Sequence, residues 1–146
     1  MGSRRKSREL ALQALFYFDY DKGDPKELLP LFLENFQDMM DDGAVPFFET
    51  LVKGVKTNQS DIDRLINTCS RNWKVARMPA VDRNIMRIGV FEFLKCPDIP
   101  SSVTINEAVE IGKRFGTRES APFINGVLDR VRIQMESEQE IQGGSF

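Results

Sequence analysis

Histidine is absent from this chain. Without an imidazole, neither the common hydrolytic triads nor the usual histidine metal sites can be assembled. Cysteine is scarce. Cys69 and Cys96 stand far apart, without the paired spacing of a zinc site. They read as buried thiols of a reducing compartment, a disulfide being the alternative. No apolar run approaches the roughly 18 residues of a membrane span. The basic start, Arg4-Arg5-Lys6, is followed by a stretch that Glu9, Gln13 and Asp19 interrupt, so it is not a signal-peptide core. Lys6 also stands where a myristoylation signal has Ser or Thr. No membrane partner is expected, and the expected location is the cytoplasm. A phosphate-binding loop is missing too, because Gly112-Lys113-Arg114-Phe115-Gly116-Thr117 lacks the order of glycine, lysine and hydroxyl residue. Asp41 with Asp42, and Asp61 with Asp63, read as helix-terminal carboxylates rather than cation ligands. No enzyme activity, metal or cofactor is expected.

What is present is helical periodicity. The 146 residues suit one compact soluble domain, and no strand pattern competes, since Val103-Thr104-Ile105 is too short. Leu10, Ala11, Ala14, Leu15 and Phe18 predict a first helix from about Ser3 or Ser7 to about Tyr20. Asp24-Pro25-Lys26-Glu27 has the cap, proline and acidic residue of a helix start, followed by Leu28, Leu29, Phe32, Phe36 and Met39. Asp41-Asp42-Gly43 is read as its end. Pro46 opens a third helix with Phe47, Phe48, Leu51, Val52 and Val55. Ser60-Asp61-Ile62-Asp63 is a capping-box candidate before Leu65, Ile66 and Cys69. Residues 70 to 79 form a connector, and a helix carrying Val81, Ile85, Ile88 and Phe91 or Glu92 should end near Cys96-Pro97. Thr104-Ile105-Asn106-Glu107 is the strongest capping box, Phe115-Gly116 a helix end, and Thr117 or Ser120 the cap of the last helix. Its inward residues are Phe123, Ile124, Val127, Leu128 and Val131. The expectation is an all-α fold of about seven helices over residues 1–135, with a polar, frayed tail over 136–146.

Charge is segregated although the net value is only −2. Met1 to Phe18 carries four bases, Arg4, Arg5, Lys6 and Arg8, against the single acid Glu9. Asp19 to Glu49 holds nine acids against Lys22 and Lys26. Four cations at a helix start, on a helix that continues through Gln13, Phe16 and Tyr17, can grip phosphates while amide and rings meet unpaired bases. The structural alternatives are a solvated terminus for the cations and core packing for the two aromatics.

The segment from Arg4 to Phe16 resembles the arginine-rich start of the NusB family. So do Leu51-Val52-Lys53-Gly54-Val55, Val81-Asp82-Arg83-Asn84-Ile85-Met86-Arg87-Ile88 and Val103-Thr104-Ile105-Asn106-Glu107-Ala108. Lys113-Arg114-Phe115-Gly116 and Phe123-Ile124-Asn125-Gly126-Val127-Leu128-Asp129 complete an ordered series reaching about Arg130. The resemblance implies two packed helical subdomains without a catalytic site. It also implies binding of boxA-type single-stranded RNA jointly with NusE, a small-subunit ribosomal protein, in transcription antitermination. Other antitermination factors and RNA polymerase are then indirect partners. By position it places Arg4, Arg5, Lys6, Arg8, Gln13 and Phe16 on the RNA-binding arm, and Glu119, Ser120 and Phe123 in a second RNA-contacting region. Phe16 stands where some members have tyrosine, and Pro122 where some have lysine. Asp82, Arg83, Met86, Arg87 and Val90 fall on the implied NusE-binding face. Two other readings remain: the RNA-binding front end of a ribosomal RNA cytosine methyltransferase, and a helical protein-interaction module that binds no RNA.

Overall fold

The computed structural model describes residues 3–20, 24–36 and 43–143. They form seven α-helices: α1 (Ser3–Tyr20), α2 (Pro25–Phe36), α3 (Val45–Thr57), α4 (Gln59–Cys69), α5 (Ala80–Lys95), α6 (Ser101–Phe115) and α7 (Ser120–Gly143). A 3₁₀ turn, Val75–Arg77, lies between α4 and α5, and there is no strand among the described residues. None of these helices is long and apolar enough to cross a membrane. The chain divides into two compact units, Met1–Gln59 and Ser60–Phe146.

In the first unit α1 packs chiefly on α3, with α2 alongside α1. The apolar stripe of α1 is buried as its spacing predicts, and so are Phe48, Leu51, Val52 and Val55 of α3. Each large side chain fully removed from water contributes about 1.5–3 kcal/mol. Phe32 ties α2 to α3 by stacking on Phe48 with ring centroids 5.6 Å apart, and it stacks on Phe36 at 4.4 Å. The start of α2 is as expected: Asp24 Oδ1 accepts from the Lys26 N–H at 2.9 Å, and its carbonyl accepts from Glu27 and Leu28. Pro30 sits inside α2 on an exposed face, where a missing N–H bond is tolerable. The expected helix end at Asp41-Asp42 lies outside the described residues.

In the second unit α5 packs against both α6 and α7, which also pack on each other. Residues from Asn84 to Glu92 are all buried, including charged ones. A buried charge is tolerable only when paired and hydrogen-bonded. Three such ties leave α5 in three directions. Arg87 grips Asp63 of α4 through Nε–Oδ1 and Nη2–Oδ2 contacts, each 2.9 Å. Thr104 Oγ1 of α6 donates to Glu92 Oε1 at 2.9 Å. Ser120 Oγ of α7 donates to Asp82 Oδ1 at 2.7 Å. Among the described residues no buried side-chain nitrogen or oxygen lacks a partner.

Two capping expectations fail. Thr104 does not cap α6, because the helix starts at Ser101 behind Pro100, whose extended backbone (φ −59°, ψ 141°) sets the boundary. The Thr104 hydroxyl is instead spent on Glu92. Ser60 does not cap α4, which begins at Gln59 directly after Asn58 closes α3 by donating its N–H and Nδ2 to the Gly54 carbonyl. Ser120 opens α7, but its hydroxyl accepts from the Thr117 N–H at 2.9 Å and reaches out to α5. Gly116 ends α6 beside it, and a Cβ there would overlap the Ser120 hydroxyl. The helix α7 carries on to Gly143 through the polar segment after Glu136. Both cysteines are buried, and they are not joined in a disulfide. Burial pushes the Cys69 thiol up, partly offset by Arg130, which leaves it protonated and unreactive near neutral pH.

Removing one member of the α4–α5 bridge should cost far more than removing both. Asp63→Ala strands the Arg87 guanidinium, whose side chain is 7% exposed, and should destabilise by about 3 kcal/mol in urea unfolding. Asp63→Leu with Arg87→Met should recover most of that loss.

Candidate nucleic-acid interface

The arm is built on the first turns of α1. Arg4 and Arg5 are exposed and Lys6 is half-buried, whereas Arg8 is buried at 3%. Arg4 and Arg8 share a face four residues apart, and that face turns onto α3. Their guanidiniums lie 5.2 and 5.4 Å from the centre of the Phe47 ring, within cation–π range. Ser7 Oγ donates to the Ala44 carbonyl at 2.7 Å beside them. Arg8 is therefore part of the α1–α3 seam, not of the exposed arm, and this corrects the four-cation reading. Phe47, which the sequence pattern places in the core, is the ring that holds two of the cations.

Further along α1, Phe16 and Tyr17 are exposed at 49% and 46%, so core packing does not account for them. Gln13 and Tyr17 line a cavity of about 290 Å³ with Leu28, Leu31, Phe32 and Asn35 of α2. Phe16 is not among its walls. Sequence position singles out Phe16, but the helix turn brings Tyr17 to the concave side.

The second predicted region lies in the other unit. Glu119 is exposed and Phe123 half-buried, and both line a cavity of about 360 Å³. Ser120 is 1% exposed and serves the tie to Asp82 rather than a ligand. The implied partner face on α5 is mostly interior. Met86 and Val90 have no exposed surface, and Arg87 is committed to Asp63. All three leave the candidate set because α5 is enclosed by its neighbours. Asp82 is 5% exposed, yet it lines the same cavity as Glu119 and Phe123. Arg83 stays half-buried, its Nη1 donating to the Val75 and Met78 carbonyls at 3.3 and 3.4 Å. Trp73 and Arg77, which sequence reasoning leaves in a plain connector, complete that cavity. The interleaving of Arg71, Trp73, Lys74 and Arg77 is the signal that could have found them.

The NusB family model matches residues 5–132. The chain belongs to the NusB family. It is 65% identical over 133 residues to the transcription antitermination protein NusB of Desulforapulum autotrophicum, covering 91% of this chain and 93% of that relative. That relative is a transcription factor matched over nearly its whole length, not the front end of a larger methyltransferase. Among solved structures, NusB of T. maritima superposes with TM-score 0.79 at 38% identity, covering 88% of this chain and 89% of the other. Antitermination factors NusB and NusE in complex with double-stranded RNA give a TM-score of 0.79 at 24% identity, over 90% of this chain and 96% of that one, which shows the shared fold. The basic α1 start that carries the resemblance thus sits on a NusB frame.

The division between Arg8 and the arm has a measurable consequence. Arg5 and Lys6, which take no part in the Phe47 contact, replaced together by Gln should leave unfolding within about 0.5 kcal/mol of wild type. Arg8→Ala alone, which empties the seam beside Phe47, should cost about 1–2 kcal/mol.

Proposed function

We propose that this NusB-family chain is an RNA-binding adaptor of transcription antitermination in the cytoplasm, holding boxA-type single-stranded RNA jointly with NusE. The observation that carries this reading is the arrangement along α1. Arg4, Arg5 and Lys6 offer phosphate-binding cations at the helix start. The Gln13–Tyr17 cavity and the exposed Phe16 ring offer an amide and stacking faces farther on. Arg5 and Tyr17 lie about 18 Å apart along the axis at 1.5 Å per residue. That is about five nucleotides at the stacked spacing of about 3.4 Å. Glu119 and Phe123 supply the second contact region. The NusB–NusE–RNA assembly of a protein sharing this fold supports the joint partner, with RNA polymerase and other factors reached indirectly. On α5 the partner contact falls to Arg83 and the edge at Asp82.

The arm variant tests this. With Arg4, Arg5 and Lys6 all changed to Gln, affinity for boxA-type RNA should fall. The slope of log affinity against log salt should flatten by about 0.7 for each phosphate that is no longer neutralised. Unchanged affinity and slope in filter binding would remove the arm from the site.

A further inference from the structure

By its own chemistry the beginning of α1 is a poor helix start. Its first turn holds no acid, and Arg4, Arg5 and Lys6 place three cations at the end where the helix dipole is already positive. Arg4 and Arg8 stand four residues apart, a spacing at which like charges face each other and repel. The leading N–H groups of a helix have no intrahelical acceptor either. A terminus of this kind frays unless it is tied down. The hold comes from α3. The Arg4 and Arg8 guanidiniums lie 5.2 and 5.4 Å from the centre of the half-buried Phe47 ring. Beside them Ser7 Oγ donates at 2.7 Å to the carbonyl of Ala44, the residue directly before α3. An aromatic face is electronegative, so one ring set where two cations converge turns a repelling pair into a bound one.

Fixing Arg4 aims its neighbours. At about 100° per residue, Arg5 and Lys6 leave the helix about 100° and 200° round from Arg4, so the ring that holds one guanidinium also sets the direction of the other two cations. The core depends on that hold far less, because the buried apolar stripe of α1 begins only at Leu10. Weakening the hold therefore unwinds the arm before the fold. A strand binding an unwound arm must rewind it, and the measured affinity falls by the fraction of molecules in which the arm is already wound. We propose that Phe47 is a positioning residue for RNA binding: without touching the strand, its ring keeps the first turns of α1 wound, so that Arg5 and Lys6 meet the phosphates already placed. The property that matters is the aromatic quadrupole and not bulk, since an aliphatic side chain keeps the apolar contact but offers a guanidinium nothing. The proposal rests on the RNA-binding reading above and adds a residue that sets its affinity from outside the contact.

The test compares Phe47→Leu with Phe47→Tyr in the full chain. Anisotropy of fluorescein-labelled boxA-type single-stranded RNA reads binding over a salt series. Hydrogen exchange at the Ser7, Arg8 and Glu9 amides, whose acceptors lie four residues back, reads the winding of the arm. Phe47→Leu should bind about 5- to 30-fold more weakly, the worth of two partly exposed cation–π contacts. Its slope of log affinity against log salt should be unchanged, because the same phosphates are neutralised once the strand is bound. The three amides should exchange faster than in wild type, and saturating RNA should restore their protection. Phe47→Tyr, which keeps the ring, should bind and exchange as wild type. Wild-type affinity in Phe47→Leu would overturn the proposal, and so would equal weakening in both variants. A flattened slope would make Phe47 a contact instead of a positioning residue. Loss of protection from Leu10 to Phe18 along with the affinity would reduce it to a structural one. Either result rejects the proposal and leaves the arm standing. No anisotropy change with the wild-type chain would overturn the RNA reading and the proposal together.

Discussion

Helix α5 is enclosed, and it brings Asp82, Arg87 and Glu92 into the interior with it. Each must meet a partner, since an unpaired buried charge costs several kcal/mol. The three ties to Asp63, Thr104 and Ser120 meet that demand, and each points to a different helix. An apolar α5 could slide among α4, α6 and α7, whereas these pairs fix its rotation and height. The functional consequence lies at the Asp82–Ser120 end. That hydrogen bond holds the start of α5 against the start of α7, and the two starts bring Pro79 and Asp82 together with Thr117, Glu119 and Phe123. The cavity is thus a by-product of a charge that had to be satisfied.

The first unit solves a different problem, which is how to keep cations available without letting them wander. Arg4 and Arg8 bracket the Phe47 ring, and Ser7 is fastened to Ala44, so the start of α1 is anchored to α3. Arg5 and Lys6 are then carried on a held helix rather than a loose terminus, which lowers the ordering cost of phosphate binding. Tyr17 and Gln13 are placed by the same helix against α2. With a net charge of only −2 and the acids concentrated over Asp19 to Glu49, local segregation and not total charge sets the cationic edge at the start of α1.

Periodicity makes most of the fold legible. The stripes of α1, α3 and α7 are buried where their spacing places them except at Phe47 and Phe123, which stay half-buried, because one-sided burial leaves a one-sided pattern. The failures share a cause. Met86, Val90 and Arg87 look like surface in the sequence because a helix's neighbours cannot be counted from its own residues, and α5 has neighbours on most sides. Thr104-Ile105-Asn106-Glu107 looks the same whether it begins a helix or lies one turn inside. The deciding partner, Glu92, sits on another helix. Arg8 belongs to the same class, since its burial depends on Phe47 of α3. Trp73 escapes the sequence pattern for the opposite reason: it has no periodic context, only basic neighbours in a connector.

An adaptor must do more than bind two ligands on one molecule; each must alter the affinity for the other. Reciprocity requires that the factor by which NusE tightens RNA equal the factor by which RNA tightens NusE, with typical couplings of about 5- to 150-fold. Isothermal titration calorimetry on all four legs of the cycle, with this chain, boxA-type RNA and NusE, measures that factor twice. The account predicts at least several-fold tightening, equal on both routes. Equal affinities with and without the second ligand would contradict it, leaving a protein with two independent sites.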